Sequence, residues 1–361
     1  MADFSKFGYP SREWQEHVAK YGPAPEASIG KVPALAIQRS MNAGREEASA
    51  KQMKIEGLSS KVDIQTILIH ARDNFLIPTR IYKKTGTSYS DRPIYVFYHG
   101  GGFVYGTLDS EDAACSRIVV AMDIIVFHIS YRHAPRHPFP EAHNDALDAF
   151  NWIMENGDAF GGDLGNVVVG GVSAGANLAC HVVLARNAAL ARDYESDEGA
   201  IIKGLVLVTP WLVVNKEKIS YDEFATEHNA SRVQCSNAPV VSSKVLDFFV
   251  NCMGEEVHNN LDVDPDVGLV SGNKLRGLPS TTIMVAGSDP LRDEALLFAR
   301  NLHENDVPVH VHVFPGLPHG FRRFDDLPSS RRWDELVVEG IKWSLSDDTM
   351  TYGSELSLNV V

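Results

Sequence analysis

The chain has 361 residues, 44% hydrophobic and 22% charged, which suits one large α/β domain and excludes wholesale disorder. Thirty-three lysines and arginines against 47 aspartates and glutamates leave a net charge of −14. An acidic chain with no lysine- or arginine-rich run repels phosphate backbones and anionic bilayers, so neither nucleic acid nor a membrane surface is expected as a partner.

In chain order, helical spacing covers Ser11–Lys20 and Val32–Met53, with Pro23-Ala24-Pro25 breaking the chain between them. Strands are predicted at Val62–His70 and Thr79–Lys84, parted by a turn at Asp73-Asn74. Short, solidly apolar runs then alternate with helical segments. The strands are Ile94–Tyr98, Ile124–Ser130, Val167–Gly170, Gly204–Val208, Thr281–Ala286 and Val309–Phe314. The helices are Asp109–Ala121, Ala142–Glu155, Ala174–Ala191, Leu291–Glu304 and Ser330–Leu345. Such alternation implies an α/β fold with a mainly parallel sheet covered on both faces, extended by two antiparallel opening strands.

One stretch breaks the rhythm. Between Trp211 and Gly277 no core strand is evident, only an amphipathic run at Ser242–Cys252, and an excursion of that size reads as a lid. The expected division is a helical segment over 1–60, core over 61–210 and 278–347, a cap insertion over 211–277, and a frayed polar tail over 348–361. Four scattered cysteines, with no C-x-x-C pair, suggest reduced thiols, not a disulfide framework or zinc site. No leader pattern or membrane-length apolar run is present, so a soluble cytoplasmic protein is expected.

The chemistry concentrates at four places. Gly171-Val172-Ser173-Ala174-Gly175 follows a predicted strand and opens a helix. A turn that sharp needs small neighbours, because the serine takes a strained backbone conformation that lifts its Oγ to a helix N-terminus. Upstream, His99-Gly100-Gly101-Gly102-Phe103 also follows a strand. Three glycines let backbone N–H groups approach a ligand unobstructed, so Gly101 and Gly102 with Ala174 can form an oxyanion hole. The spacing fits neither dinucleotide nor P-loop phosphate binding.

A serine nucleophile needs a base, and the base an orienting acid. His319 follows the last strand in a bracket of loop formers. Asp289 sits just past Thr281–Ala286, with Asp293 as the fallback; Asp293 and Glu294 read as first-turn residues of the next helix. His310 and His312 alternate along a strand, but no third ligand falls at metal-binding spacing.

Taken together, HGGGF at 99–103, GVSAGAN at 171–177, SDPLRDE at 288–294 and HGF at 319–321 resemble the hormone-sensitive-lipase-like branch of the α/β-hydrolases. These are serine carboxylesterases of microbes, fungi and plants. The resemblance spans roughly residues 62–345 and implies an eight-stranded sheet beneath a helical cap. It assigns Ser173, Asp289 and His319 to a triad, and Gly101, Gly102 and Ala174 to the oxyanion hole. Val172 stands where the branch has aspartate or threonine, and Ala176 replaces a frequent glycine. Tyr131-Arg132-His133-Ala134-Pro135-Arg136 departs at His133 and Arg136 from its Y-R-L-A-P-E.

The implied function is hydrolysis of small to medium apolar carboxylic esters through an acyl-enzyme, with no metal or organic cofactor. Acyl transfer, lactone opening or cleavage of one biosynthetic ester would use the same residues. Plant gibberellin receptors resemble the branch but lack the histidine, so His319 argues against binding without turnover. Aromatic candidates for the pocket are Trp14, Phe103, Trp211 and Phe249, with Phe103 and Trp211 the chosen substrate contacts. The oligomeric state stays open between monomer and homodimer.

Overall fold

The computed structural model describes residues 2–24, 29–86, 90–190, 202–224, 226–260, 262–346 and 356–361. Pro25 of the predicted break, Ala191 at the end of a predicted helix, residue 347 at the end of the predicted core and 348–355 of the polar tail lie outside that set.

Nine strands form one sheet: β1 (Val62–His70), β2 (Leu76–Lys84), β3 (Arg92–Tyr98), β4 (Ile125–Ile129), β5 (Gly162–Val172), β6 (Ile202–Val208), β7 (Ser280–Ser288), β8 (Val309–Pro318) and β9 (Leu358–Val360). Their spatial order is β1-β2-β4-β3-β5-β6-β7-β8-β9. β1 pairs antiparallel with β2 and β2 with β4, while every pair from β4–β3 to β8–β9 is parallel. The parallel strands carry their apolar runs because both faces are covered; all five residues of β4 are buried. β1, at an edge, buries only Val62 and Ile69.

The ninth strand corrects the expected count of eight and the picture of a tail frayed throughout. Leu358, Asn359 and Val360 pair with Val311, His312 and Val313 and cover the outer edge of β8. Three residues are too short to show a two-residue period in sequence.

Ten α-helices lie among the described residues, besides short 3₁₀ turns: α1 (Arg12–Tyr21), α2 (Ala34–Ile55), α3 (Asp112–Ala121), α4 (Glu141–Asn156), α5 (Ala174–Leu190), α6 (Ser231–Gln234), α7 (Ser243–Met253), α8 (Glu256–Asn259), α9 (Arg292–Glu304) and α10 (Pro328–Ser344). One face of the sheet packs against α4, α5 and α9 through residues such as Phe150, Leu178 and Phe298. The other packs against α3 and α10 through Ile118, Trp333 and Ile341. Two apolar layers with the sheet between them are the reason the chain folds as it does.

The N-terminal segment meets the 211–277 insertion. Ala2 N–H donates to the Glu223 carbonyl at 2.7 Å, and Gln234 Nε2 donates to the Ser5 carbonyl at 2.9 Å. Within the insertion, Ser242 caps α7 by accepting from Val245 N–H. That helix buries Val245, Leu246, Phe249 and Met253, each contributing roughly 1.5–3 kcal/mol of apolar burial. The face turned inward reaches the glycine turn after β3, since a Cβ on Gly102 would strike the Phe249 ring. Among the described residues no helix is long and apolar enough to cross a membrane.

Candidate active site

Ser173 occupies the single-residue turn between β5 and α5, with φ of 55°, a left-handed conformation unusual for a side-chain-bearing residue. Its N–H donates to the Val208 carbonyl at 2.9 Å and its carbonyl accepts from Trp211 N–H at 3.2 Å, which fixes the strained turn. Gly175 must lack a side chain, because a Cβ there would collide with the Tyr98 and His99 carbonyls. The serine is thereby held at the carboxyl edge of the central strands, where sheets of this kind place their sites.

Two loops from neighbouring strands converge on it. His319, directly after β8, brings Nε2 to 3.0 Å from Ser173 Oγ. Its Nδ1 lies 2.7 Å from Asp289 Oδ2, just beyond β7. Asp289 Oδ1 accepts from Leu291 N–H at 2.9 Å, which orients the carboxylate. Relative exposures of 9% for Ser173, 6% for His319 and 1% for Asp289 grade the chain from cavity to interior. Asp293 is engaged elsewhere: Oδ1 takes a 2.6 Å bond from Arg292 Nε, and Oδ2 accepts from Ser231 N–H at 2.6 Å.

The glycine turn faces the same space. Gly101 and Gly102 have φ of 141° and 61°, and a Cβ on Gly101 would run into the Tyr105 carbonyl. No backbone carbonyl takes a hydrogen bond from the N–H of Gly101, Gly102 or Ala174 among the described residues. The turn is braced from behind. Arg45 Nη1, from α2, donates to the Gly100 carbonyl at 2.9 Å while Nη2 pairs with Glu111 at 2.5 Å. Tyr131 Oη donates to the His99 carbonyl at 2.7 Å.

Ser173, His319 and Gly100–Gly102 open into a cavity of about 270 Å³. Its apolar walls include Phe97, Ile118, Val241, Phe249 and Val337. Phe249 is thus the one sequence-nominated aromatic that lines it. Phe103 and Trp211, chosen as substrate contacts, do not. Both are 1% exposed and face the core, their rings 5.7 Å apart, and Trp211 Nε1 donates to the Val213 carbonyl. Phe103 adjoins the glycine turn and Trp211 follows a strand end, which suggests lining in sequence; in space Trp211 packs on Phe249 at 6.0 Å and Phe103 on Trp211. Trp14 is buried against His17 and Phe324 and is likewise outside the cavity lining.

Two further supports lie within the sequence motifs but in roles the motifs do not show. Glu294 is buried and accepts from Leu212 and Val213 N–H at 2.7 and 3.1 Å, while Arg232 pairs with its other oxygen at 2.5 Å. Burial pushes its pKa up to about 7, against the pull of Arg232. It fixes the chain beside the nucleophile turn. Asn177, inside the motif itself, ties α5 to the Trp211 and Pro265 carbonyls at 2.9 and 2.7 Å. Among the described residues, no three of the His, Cys, Asp and Glu side chains gather as a metal site would require.

Known proteins bear on this geometry. A family model described as alpha/beta hydrolase fold matches residues 95–323. Esterase LipI of Mycobacterium tuberculosis is 35% identical over 250 residues, covering 68% of this chain and 71% of that protein. An ethyl acetate hydrolase of Pseudomonas putida is 29% identical over 88% of this chain and 94% of its own. The solved structure of an esterase from Pyrobaculum calidifontis superimposes with a TM-score of 0.74 at 25% identity, covering 94% of this chain and 100% of that one.

Proposed function

We infer the mechanism from one premise: this chain belongs to the alpha/beta hydrolase fold family, in its hormone-sensitive-lipase-like branch, and is a carboxylic ester hydrolase. Ser173 is the nucleophile, His319 its general base, and Asp289 the group that holds the imidazole in the productive tautomer. The observation that carries this reading is the unbroken relay from Asp289 Oδ2 through His319 to Ser173 Oγ, at 2.7 and 3.0 Å, ending in a cavity.

The steps follow from the positions. His319 Nε2 takes the Ser173 proton as Oγ attacks the ester carbonyl. Negative charge collects on the carbonyl oxygen, and the unengaged N–H groups of Gly101, Gly102 and Ala174 receive it. Each such donor is worth on the order of 10²–10³ in rate. The tetrahedral intermediate collapses, the alcohol leaves with the proton from His319, and an acyl-enzyme remains. Water deprotonated by His319 then attacks the acyl carbonyl, and the carboxylic acid departs as Ser173 recovers its proton.

Segments 1–60 and 211–277 together serve as the cap; α2 supplies Arg45 and α7 supplies Phe249 to the cavity. A volume of about 270 Å³ with apolar walls suits small to medium esters. Ligand binding without turnover would suit a histidine remote from the serine, and His319 Nε2 is 3.0 Å away.

The test is a p-nitrophenyl ester series from acetate to long acyl chains, with wild type and Ser173→Ala in parallel. Turnover should peak at short or medium chains and fall by about a thousandfold or more in the variant. Equal turnover by both proteins would remove Ser173 from the mechanism.

A further inference from the structure

The cavity beside Ser173 has arginines among its apolar walls. Arg45, Arg117, Arg322 and Arg323 all contribute to its wall. Three of them are committed: Arg45 pairs with Glu111 at 2.5 Å, Arg117 with Glu56 at 2.5 Å, and Arg322 with Asp334 at 2.6 Å. Among the described residues, Asp334 and Glu111 are the only carboxylates of the lining, and both are used in these pairs.

Arg323 differs. Four residues after His319, it is exposed and lines the cavity, and among the described residues its guanidinium has no hydrogen-bond or ion-pair partner. Protein closing around the rest of the side chain draws its pKa down, Arg45 adds to that, and the Tyr105 phenol opposes it. Tyr105 lines the same cavity, and its hydroxyl likewise has no hydrogen-bond partner among the described residues. Its ring is pinned by Phe249 at 5.7 Å and by the Arg45 guanidinium at 5.6 Å. A cation without a counter-charge and a fixed phenol thus face the space next to the candidate nucleophile. On a chain of net charge −14, the long-range field repels anions, so a local cation is what an anionic ligand would require.

We propose that Arg323 and Tyr105 receive a carboxylate of the substrate, so that the preferred esters carry a free carboxylate besides the ester group, as half-esters of dicarboxylic acids do. The proposal rests on Ser173 being the nucleophile. The apolar walls hold the methylene chain between the two groups, and the charge-assisted bond fixes which end reaches Ser173.

The experiment compares monomethyl esters of dicarboxylic acids, succinate through suberate, with methyl esters of the matching neutral acids, followed by titration of released acid. Wild type should give at least one half-ester a KM lower than its neutral counterpart. In Arg323→Gln, the ratio of kcat/KM for half-ester over neutral ester should fall at least tenfold; a ratio cancels any general loss of activity. Arg323→Lys should restore part of it. As a check independent of variants, glutarate should inhibit wild-type cleavage of p-nitrophenyl acetate competitively, more tightly than butyrate does. A wild type that prefers every neutral ester, or a ratio unchanged in Arg323→Gln, would overturn the proposal while leaving the Ser173 mechanism intact. Loss of the mechanism itself would appear instead as neutral-ester turnover surviving in Ser173→Ala.

Discussion

Acidification is the perturbation this fold should tolerate worst, because it buries neutral histidines. His99, His128 and His143 are each fully buried. His128, on β4, packs against the rings of Phe97 and His99, and neither of its nitrogens meets a partner among the described residues. Burial, helped by the charges of Arg80 and Arg45, drives its pKa down to about 3. His143 falls to about 3 by burial and the nearby His181, against the bond to Asn177. His99 is held well below the ordinary range by burial, then by His133, His128 and Arg45.

A histidine depressed in the folded state stabilises fully above its unfolded pKa, about 6.5, and the benefit disappears as pH falls toward the folded value. Between pH 7.5 and 5 His128 and His143 therefore cost about 2 kcal/mol each, about 4 kcal/mol together, and His99 adds to the loss in the same direction. Glu294 has the opposite sign: raised to about 7, it favours the folded state on acidification and returns about 2 kcal/mol. His128 and His143 set against Glu294 leave a net loss of about 2 kcal/mol, to which His99 adds, a sizeable part of the 5–15 kcal/mol typical of a folded protein. Urea unfolding at the two pH values should show it, and His128→Phe should shrink the pH-dependent loss by about 2 kcal/mol. Equal stability at pH 7.5 and 5, or an unchanged pH dependence in the variant, would refute the reasoning.

Other outcomes follow from single contacts. Asp289→Asn should lower kcat by about a thousandfold or more with little change in KM, because the imidazole loses its orienting charge; steady-state kinetics at constant pH would measure it. Gly102→Ala should cost on the order of 10²–10³ in kcat, since the added methyl strikes the Phe249 ring and displaces the turn, and Phe249→Ala introduced with it should recover part of the loss. Glu294→Gln, which cannot take up a proton, should enlarge the loss of stability between pH 7.5 and 5 by about 2 kcal/mol, read by urea unfolding at the two pH values.

What could be read before the structure had local causes. Six parallel strands announced themselves as short apolar runs because both faces of each are covered, and the Ser173 turn did so because a strained corner tolerates only Gly171, Ala174 and Gly175 around it. Leu358–Val360 gave no such signal: three residues carry no period, and their pairing depends on an edge formed 47 residues earlier. The cavity walls were hidden for a related reason. Arg45 comes from α2, Phe249 from α7, Arg323 from the turn after β8 and Val337 from α10, so their meeting is a product of tertiary packing. Phe103 adjoins the glycine turn and Trp211 follows the end of β6, yet both are buried in the core.

The central claim is that Ser173 becomes acylated. Treating the protein with an organophosphate ester and mapping the adduct by mass spectrometry tests it most directly. One diethylphosphoryl group should appear on the peptide containing Ser173, with activity lost in proportion, and none on the same peptide of Ser173→Ala. An adduct on another residue that tracks the loss of activity, with the Ser173 peptide unmodified, would contradict the account.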